Sequence, residues 1–481
     1  MLNLFKLNKF HLLAAIVLLG VLLRFYKINN PVADWHAFRQ ADTASVTLEY
    51  VKAEHIDLLR PRYHDLSNIQ SGLDNPDGYR MVEFPFINAL LAMLIKTTSL
   101  DFVLVSRLAA ILASLLSLVV IYKLTAAISG VKTALLSSLF FAILPYSVFY
   151  SRAILPEPYV ILFSTYAIWQ FYLFATYRRW SNFILSCLSL ALAALLKPFV
   201  VFLAPVFVEI IFTATSQISS KRLWLDWRIL IFPILAFAPL LAWREWILQF
   251  PSGIPASDWL LNGNGIRLQP AWWRWIFYER IIKLFLGFAG VILLFSNLLH
   301  KHKDMWIYGM WWLGLVAYFV IIATGNVQHD YYQNLMLPII SISLGRGAYA
   351  LQQFMQPKIG QLLSILLVIS ITALSLVLAW QQIKGYFAVN NWEYVKAGQA
   401  ADQLLPQDAL VIAPAMGDTY FLLQTKRRGW PIGFEIEDKI AKGAQYYVSS
   451  TYDWEAKMLE EQYQTLVKNE DYIIIDLRKH L

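Results

Sequence analysis

Apolar stretches of membrane-spanning or near-spanning length recur from Leu12 to Trp380, a pattern that leaves this chain few ways to fold in water. A helix needs about 20 apolar residues to cross the hydrocarbon core of a bilayer. Hydrophobic residues make up 58% of the 481 positions and charged residues 15%, so the bilayer is the expected solvent. By length, about eleven spans are expected, an all-α polytopic arrangement. They cover residues 12–26, 102–122, 134–150, 159–175, 183–196, 199–212, 229–247, 281–299, 305–323, 335–350 and 362–380. The first follows Lys6 and Lys9, as a signal peptide would. No small-residue cleavage site comes after it, so it reads as an uncleaved span.

One further apolar piece, residues 84–95, decides the topology. It is only about a dozen residues long, a length typical of re-entrant or interfacial helices. If it does not cross, the basic residues fall on alternate connections: Lys123 and Lys132, Arg178 and Arg179, Lys221 with Arg222 and Arg228, Lys301 and Lys303, then Lys358. That is the positive-inside pattern. It predicts a multi-pass protein of the cell (inner or plasma) membrane with a cytoplasmic N-terminus. The net charge of +8 then belongs to cytoplasmic loops and gives no reason to expect a nucleic-acid partner.

On this topology a membrane domain spans residues 1–384, with a first extracytoplasmic loop at 27–97. A second outer loop at 249–279 holds Trp259, Trp272, Trp273 and Trp275, as suits a membrane interface. Residues 385–481 read as a small extracytoplasmic α/β domain. Its pattern predicts a helix at 394–405, a strand at 409–413, a helix, a strand at 445–448, a helix at 454–467 and a strand at 472–475. The lone cysteine, Cys187, lies in an apolar run and excludes a disulfide framework or a thiolate metal site.

Chemistry-bearing residues gather at the outer ends of the spans. The first loop opens with Asp34-Trp35-His36-Ala37-Phe38-Arg39-Gln40-Ala41-Asp42. Asp34 and Asp42 are eight apart and on one helix would share a face about two turns apart. A carboxylate there can take a proton from an acceptor hydroxyl; the plain alternative is a surface helix cap. Glu83 precedes Pro85 at the start of the non-spanning helix, where an acid also complements the helix dipole. A divalent cation between Glu83 and a loop histidine such as His36, His55 or His64 is compatible with these residues, although the histidines lack a regular metal spacing.

The third span exits through Ser151-Arg152-Ala153-Ile154-Leu155-Pro156-Glu157-Pro158. A charge at the membrane boundary needs a partner or a task, and Arg152 is available to pair with Glu157. Lys197 ends the fifth span on the outside, where lysine either holds a phosphate or snorkels to the interface. His329, Tyr331 and Tyr332 open the tenth span and can serve a phosphate or sugar, or form an aromatic belt. Arg107 enters the second span from outside and can pair with a first-loop acid. No GxxxxGK[ST] loop occurs, and Gly263-Asn264-Gly265 is only a fragment of a dinucleotide motif. The cytoplasmic connections are too short for a nucleotide-binding domain, so a donor must arrive through the membrane.

This order of features resembles the GT-C glycosyltransferases, and most closely the polyprenyl-phosphate-sugar enzymes: protein O-mannosyltransferases and the bacterial aminoarabinose transferases that modify lipid A. The resemblance covers the helices and loops through about residue 350. It implies an inverting transferase that moves a sugar from a polyprenyl-phosphate donor to a hydroxyl on a glycan, lipid or protein acceptor, with no required cofactor. Asp34 matches the family's catalytic base. Glu157 matches its second carboxylate, with Glu where Asp is usual. Glu83-Phe84-Pro85 keeps the glutamate of the family's E-K-P but not its lysine, and Lys197 matches a phosphate-contacting lysine. The family's acidic pair is half kept, since Trp35 follows Asp34, and Asp42 is the available substitute. Arg39 and Arg152 are further candidates for the phosphate. A transporter without chemistry, or a ligase using a diphosphate-linked donor, remains open. The polar residues cluster at one membrane face and the long acidic loop comes first, both of which favour the monophosphate transferase.

Overall fold

The computed structural model describes residues 8–217, 223, 225–299 and 305–481. Lys6, Lys221, Arg222, Lys301 and Lys303 of the expected charge pattern lie outside the described residues. The chain forms two compact units. A helical unit takes in the chain up to Tyr26, Ala110–Trp243 and Ser257–Gly385; a sheet-bearing unit takes in Lys27–Ala109, Arg244–Ala256 and Tyr386–Leu481.

Among the described residues, five helical runs are long and apolar enough to cross a membrane: Phe102–Ser129, Glu157–Tyr177, Pro198–Thr215, Trp227–Ile247 and Gln361–Leu404. A sixth span results if Pro270–Phe285 and Gly290–Leu299, bent by 104°, count as one. Val131–Ile143, Trp180–Leu196 and Met305–Ile321 are apolar but shorter. The protein is a multi-pass membrane protein, and some of its apolar stretches are broken into shorter helices. Prolines account for two of the breaks. The residue before a proline is pushed out of the helical region, so Leu144 parts Val131–Ile143 from Pro145–Tyr150. In the same way Lys197, extended at φ −147°, ends Trp180–Leu196 ahead of Pro198.

Two glycines let helix backbones of this unit touch, as small residues do in membrane bundles. A Cβ on Gly347 would meet the Leu293 carbonyl at 1.7 Å. One on Gly287, at φ +47° in the bend, would meet the Ser375 carbonyl at 2.0 Å. By contrast, Trp227–Ile247 turns Leu230, Ile234, Leu235 and Leu241 outward. An apolar face of that kind suits lipid.

The sheet-bearing unit is organised around five strands: β1 (Leu410–Ile412), β2 (Arg428–Trp430), β3 (Tyr446–Ser449), β4 (Tyr463–Lys468) and β5 (Ile473–His480). Their order is β2-β1-β3-β5-β4, with β1 parallel to β2 and β3, and β5 antiparallel to β3 and β4. The expected helix at 394–405 is Trp392–Leu404, and the expected strands at 409–413, 445–448 and 472–475 are β1, β3 and β5. The helix expected to run through residue 467 stops at Gln462, and the chain turns into β4. Its Tyr-Gln-Thr-Leu-Val alternation favours an edge strand over a further helical turn. The tail does not stand alone. Asp65 of the first loop bridges Gly429 in parallel, with Leu66 N–H donating to the Gly429 carbonyl at 2.8 Å. Leu66 also enters the core with Ile412, Trp430, Tyr447 and Ile475. Helices Ala37–Lys52 and Phe86–Thr98 pack together through Val46, Tyr50, Ala89 and Ala92. The latter is 13 residues long, too short to cross a bilayer upright, as residues 84–95 predict.

Candidate active site

In the sheet-bearing unit, two buried acids, Asp34 and Asp42, and the half-buried Glu83 are held by a dense set of donors. Asp34 lies before the helix that begins at Ala37, because His36 takes a left-handed turn (φ 54°). It therefore does not share a helical face with Asp42 as the eight-residue spacing suggests. Its carboxylate accepts from Gln40 Nε2 at 2.7 Å and lies 3.7 Å from the Arg107 guanidinium. Arg107, wholly buried, also donates to the carbonyls of Ile28, Asn30 and Pro31, so one cation pins the turn that presents Asp34. Asp42 accepts from Thr419 Oγ1 at 2.7 Å and Gln70 Nε2 at 3.1 Å, and pairs with Arg80 at 2.9 Å. Glu83 pairs with Arg39. It stands outside the Phe86–Thr98 helix, of which Pro85 is the cap residue, not a first-turn residue.

Neither Glu83 nor His36 belongs to a metal-holding cluster, since among the described residues no three His, Cys, Asp or Glu side chains converge. His36 instead packs its ring against Trp35 and Phe38.

Two residues that the sequence left unremarked stand beside this network. Burial, with Asp42 nearby, pushes the Asp418 carboxyl up to about 7. Burial likewise raises Asp65 to about 6 and lowers His64 to about 3. A carboxyl poised near neutrality beside a buried charge cluster is a common mark of a functional site. Asp418 precedes Thr419, but only the folded chain brings that pair to Asp42.

In the helical unit, Lys197 reaches Glu157 at 3.0 Å. Glu157 opens its helix from between Pro156 and Pro158, and its partner is the lysine that Pro198 forces out of the preceding helix. Lys197 Nζ also lies 5.1 Å and 5.4 Å from the ring centres of Tyr332 and Tyr331, an arrangement that stabilises a cation. Tyr331 and Tyr332 stack on each other and on His329, so the three aromatic residues picked out in the sequence form one ladder. The short turn that carries the tyrosines is anchored by Asp330, which accepts from the hydroxyls of Tyr150 and, through its carbonyl, Tyr146. Arg152 is buried with its guanidinium 5.4 Å from the Phe149 ring centre.

The second oxygen of Glu157, Oε2, is buried and accepts no hydrogen bond. A narrow cleft of about 20 Å³ opens here, lined by Glu157, Lys197, Tyr318, Tyr332 and Asn334. An unsatisfied buried acceptor beside a cation and aromatic faces is suited to a ligand that brings a hydroxyl and an anion.

Comparison with solved structures gives the fold a name. The structure of ArnT from Cupriavidus metallidurans bound to undecaprenyl phosphate is similar over 96% of this chain and 97% of that one, with a TM-score of 0.65 at 12% identity. The chain has the GT-C glycosyltransferase fold. The GT-C likeness extends to the archaeal oligosaccharyltransferase AglB from Archaeoglobus fulgidus, solved with an inhibitory peptide and a dolichol-phosphate. There it covers 93% of this chain and 70% of that one, with a TM-score of 0.59 at 12% identity. It also reaches the mycobacterial arabinofuranosyltransferase AftD, over 96% of this chain and 41% of that one, with a TM-score of 0.52 at 14% identity. In sequence, residues 83–243 match the family described as dolichyl-phosphate-mannose-protein mannosyltransferase. No curated protein matches the chain. The GT-C segment that matches in sequence contains Glu83, Arg107, Arg152, Glu157 and Lys197.

Proposed function

We propose that this protein is a membrane glycosyltransferase that moves a sugar from a polyprenyl-phosphate donor to an acceptor hydroxyl on the extracytoplasmic side of the membrane, with inversion. The observation that carries the reading is the full-length likeness to a GT-C protein whose structure holds undecaprenyl phosphate. The half-satisfied Glu157–Lys197 pair supports it, because its lysine and free carboxylate oxygen suit a phosphate and a hydroxyl.

In this reading Asp34 takes the proton from the acceptor hydroxyl. The acceptor oxygen bonds to the anomeric carbon as the bond from that carbon to the phosphate oxygen breaks. The electron pair leaves on polyprenyl phosphate, and the proton stays on Asp34. Charge grows on the leaving phosphate, so cations placed there favour the transition state over the ground state. Lys197, Arg39 and Arg152 are assigned that task, while Glu157 orients the acceptor and His329, Tyr331 and Tyr332 bind the sugar. Asp42 holds the first loop through Thr419 and Arg80. Basic side chains supply the positive charge in this scheme, which needs no metal ion.

Native mass spectrometry of wild type and Asp34→Asn tests the proposal by identifying the lipids each carries. A polyprenyl monophosphate on the wild type and its sugar-loaded form on the variant are the expected pair. A diphosphate-linked oligosaccharide would mark a ligase, and the same intact lipid on both proteins would mark a transporter. A product of retained configuration would also sink the scheme.

A further inference from the structure

The sheet-bearing unit contains a second charged cavity that the transfer reading does not use. It measures about 460 Å³ and lies where the end of Ala37–Lys52 and the following loop meet β2. Lys52, Arg60, Arg62 and Arg428 line it together with His55, and Glu49 and Asp57 are its lining carboxylates. Most of that charge is already paired: Lys52 with Glu49 at 3.2 Å, Arg60 with Asp57 at 2.8 Å, and Arg62 with Asp77 at 3.3 Å. Arg428 is the most loosely held, its ion pair with Glu49 being 3.9 Å long. It donates one N–H to the Asp77 carbonyl at 2.6 Å, but its Nε is buried without a hydrogen-bond partner. Burial, with Arg62 alongside, holds this guanidinium below its ordinary pKa although Glu49 opposes the shift. An arginine held this loosely, with a buried donor left over, has capacity for a further anion.

A second observation indicates what would carry the anion. The Phe86–Thr98 helix ends beside the cavity, where Lys96 Nζ donates to the carbonyl of Ala53, a wall residue. Its inner face packs on Tyr50, another wall residue, while Leu90, Met93 and Leu94 of its outer face stay exposed. An exposed apolar stripe ending at a cationic cavity matches the two halves of an acidic lipid.

We propose that the cavity seats the phosphate headgroup of an anionic lipid, with Arg428 and Arg62 as its donors and the acyl chains lying along Phe86–Thr98. This assignment does not depend on the transfer reading. Phosphate favours arginine because the planar guanidinium donates two parallel hydrogen bonds. The site would tie the first loop to acidic lipid, and so hold the loop that carries Asp34.

The test uses full-length protein in neutral detergent, titrated with short-chain phosphatidic acid, short-chain phosphatidylcholine or inorganic phosphate. Binding is read by native mass spectrometry and thermal shift. Phosphatidic acid is expected to bind and raise the melting temperature, with affinity falling as salt rises, and the other two to do neither. Arg428→Gln should weaken that binding about ten-fold or more, the loss expected when a charge-assisted contact is removed. Because Arg428 is partly buried and its loss can compromise folding, Arg60→Gln/Arg62→Gln provides a second variant at exposed positions and should also weaken binding. Equal binding of phosphatidic acid by wild type and both variants would overturn the site. Inorganic phosphate or phosphatidylcholine binding as tightly as phosphatidic acid would overturn the lipid assignment.

Discussion

The acids of the two units are held in opposite ways. In the sheet-bearing unit each buried carboxylate has several donors: Asp42 takes Thr419, Gln70 and Arg80, and Asp34 takes Gln40 with Arg107 beside it. In the helical unit Glu157 is paired with Lys197 through one oxygen, and its other oxygen accepts nothing. Carboxylates held by several donors are fixed in place, whereas a half-satisfied pair keeps capacity for a ligand. The first arrangement suits a base that must be aimed, and the second suits groups that must bind.

The largest expected effect falls on the aimed base. Asp34→Asn keeps the shape and the Gln40 contact but removes the proton acceptor, so turnover should drop by about 10²–10⁴-fold, the usual worth of a positioned base. The melting temperature should fall as well, because the neutral side chain removes the negative charge 3.7 Å from the buried Arg107 guanidinium. A variant that keeps full activity would remove Asp34 from the chemistry and leave its network purely structural.

Next in size is the half-satisfied pair. Lys197→Ala leaves Glu157 buried and uncompensated, at a cost of about 3 kcal/mol. Lys197→Ala/Glu157→Ala should recover most of that stability and none of the donor binding. Thermal unfolding of the four proteins in a double-mutant cycle measures the coupling, and a double-variant loss equal to the sum of the two single-variant losses would mean that the pair is not coupled. Thr419→Val removes one of several donors to Asp42, so its cost should be smaller, about 1–2 kcal/mol. If Thr419→Val costs as much as Lys197→Ala, the contrast between the two networks is wrong.

Much of this was legible in the chain. Glu157, Lys197, Arg107 and the His329–Tyr332 run were visible because a charge or an aromatic cluster at the end of an apolar stretch needs a reason. Pairing was less legible. Arg152 is the nearer cation in sequence, but Pro198 turns Lys197 out of its helix and toward Glu157. The breaks within the apolar stretches were not legible, because hydropathy averages over interruptions such as the one at Leu144 and the 104° bend after Phe285. The union of the first loop with the tail had no local signal. It rests on Asp65 and Leu66 joining β2 more than 350 residues later, a contact that no periodicity encodes.

The stability–pH profile sharpens the comparison without touching either acid. Asp418 has its carboxyl raised from 3.8 to about 7, first by burial and then by Asp42. Between those values the folded protein binds a proton that the unfolded chain has released. This contribution is therefore complete below pH 3.8 and is lost as pH rises through about 7. His64 works the other way: lowered from 6.5 to about 3 by burial, it weakens the fold as pH falls below 6.5. Subtracting the stability profile of Asp418→Asn from that of wild type isolates the first term, and the difference should decline steadily from acid toward neutral pH. A flat difference would mean that Asp418 is solvated like an ordinary surface acid. In that case Asp42 would hold its donors without influencing the loop that supplies Thr419.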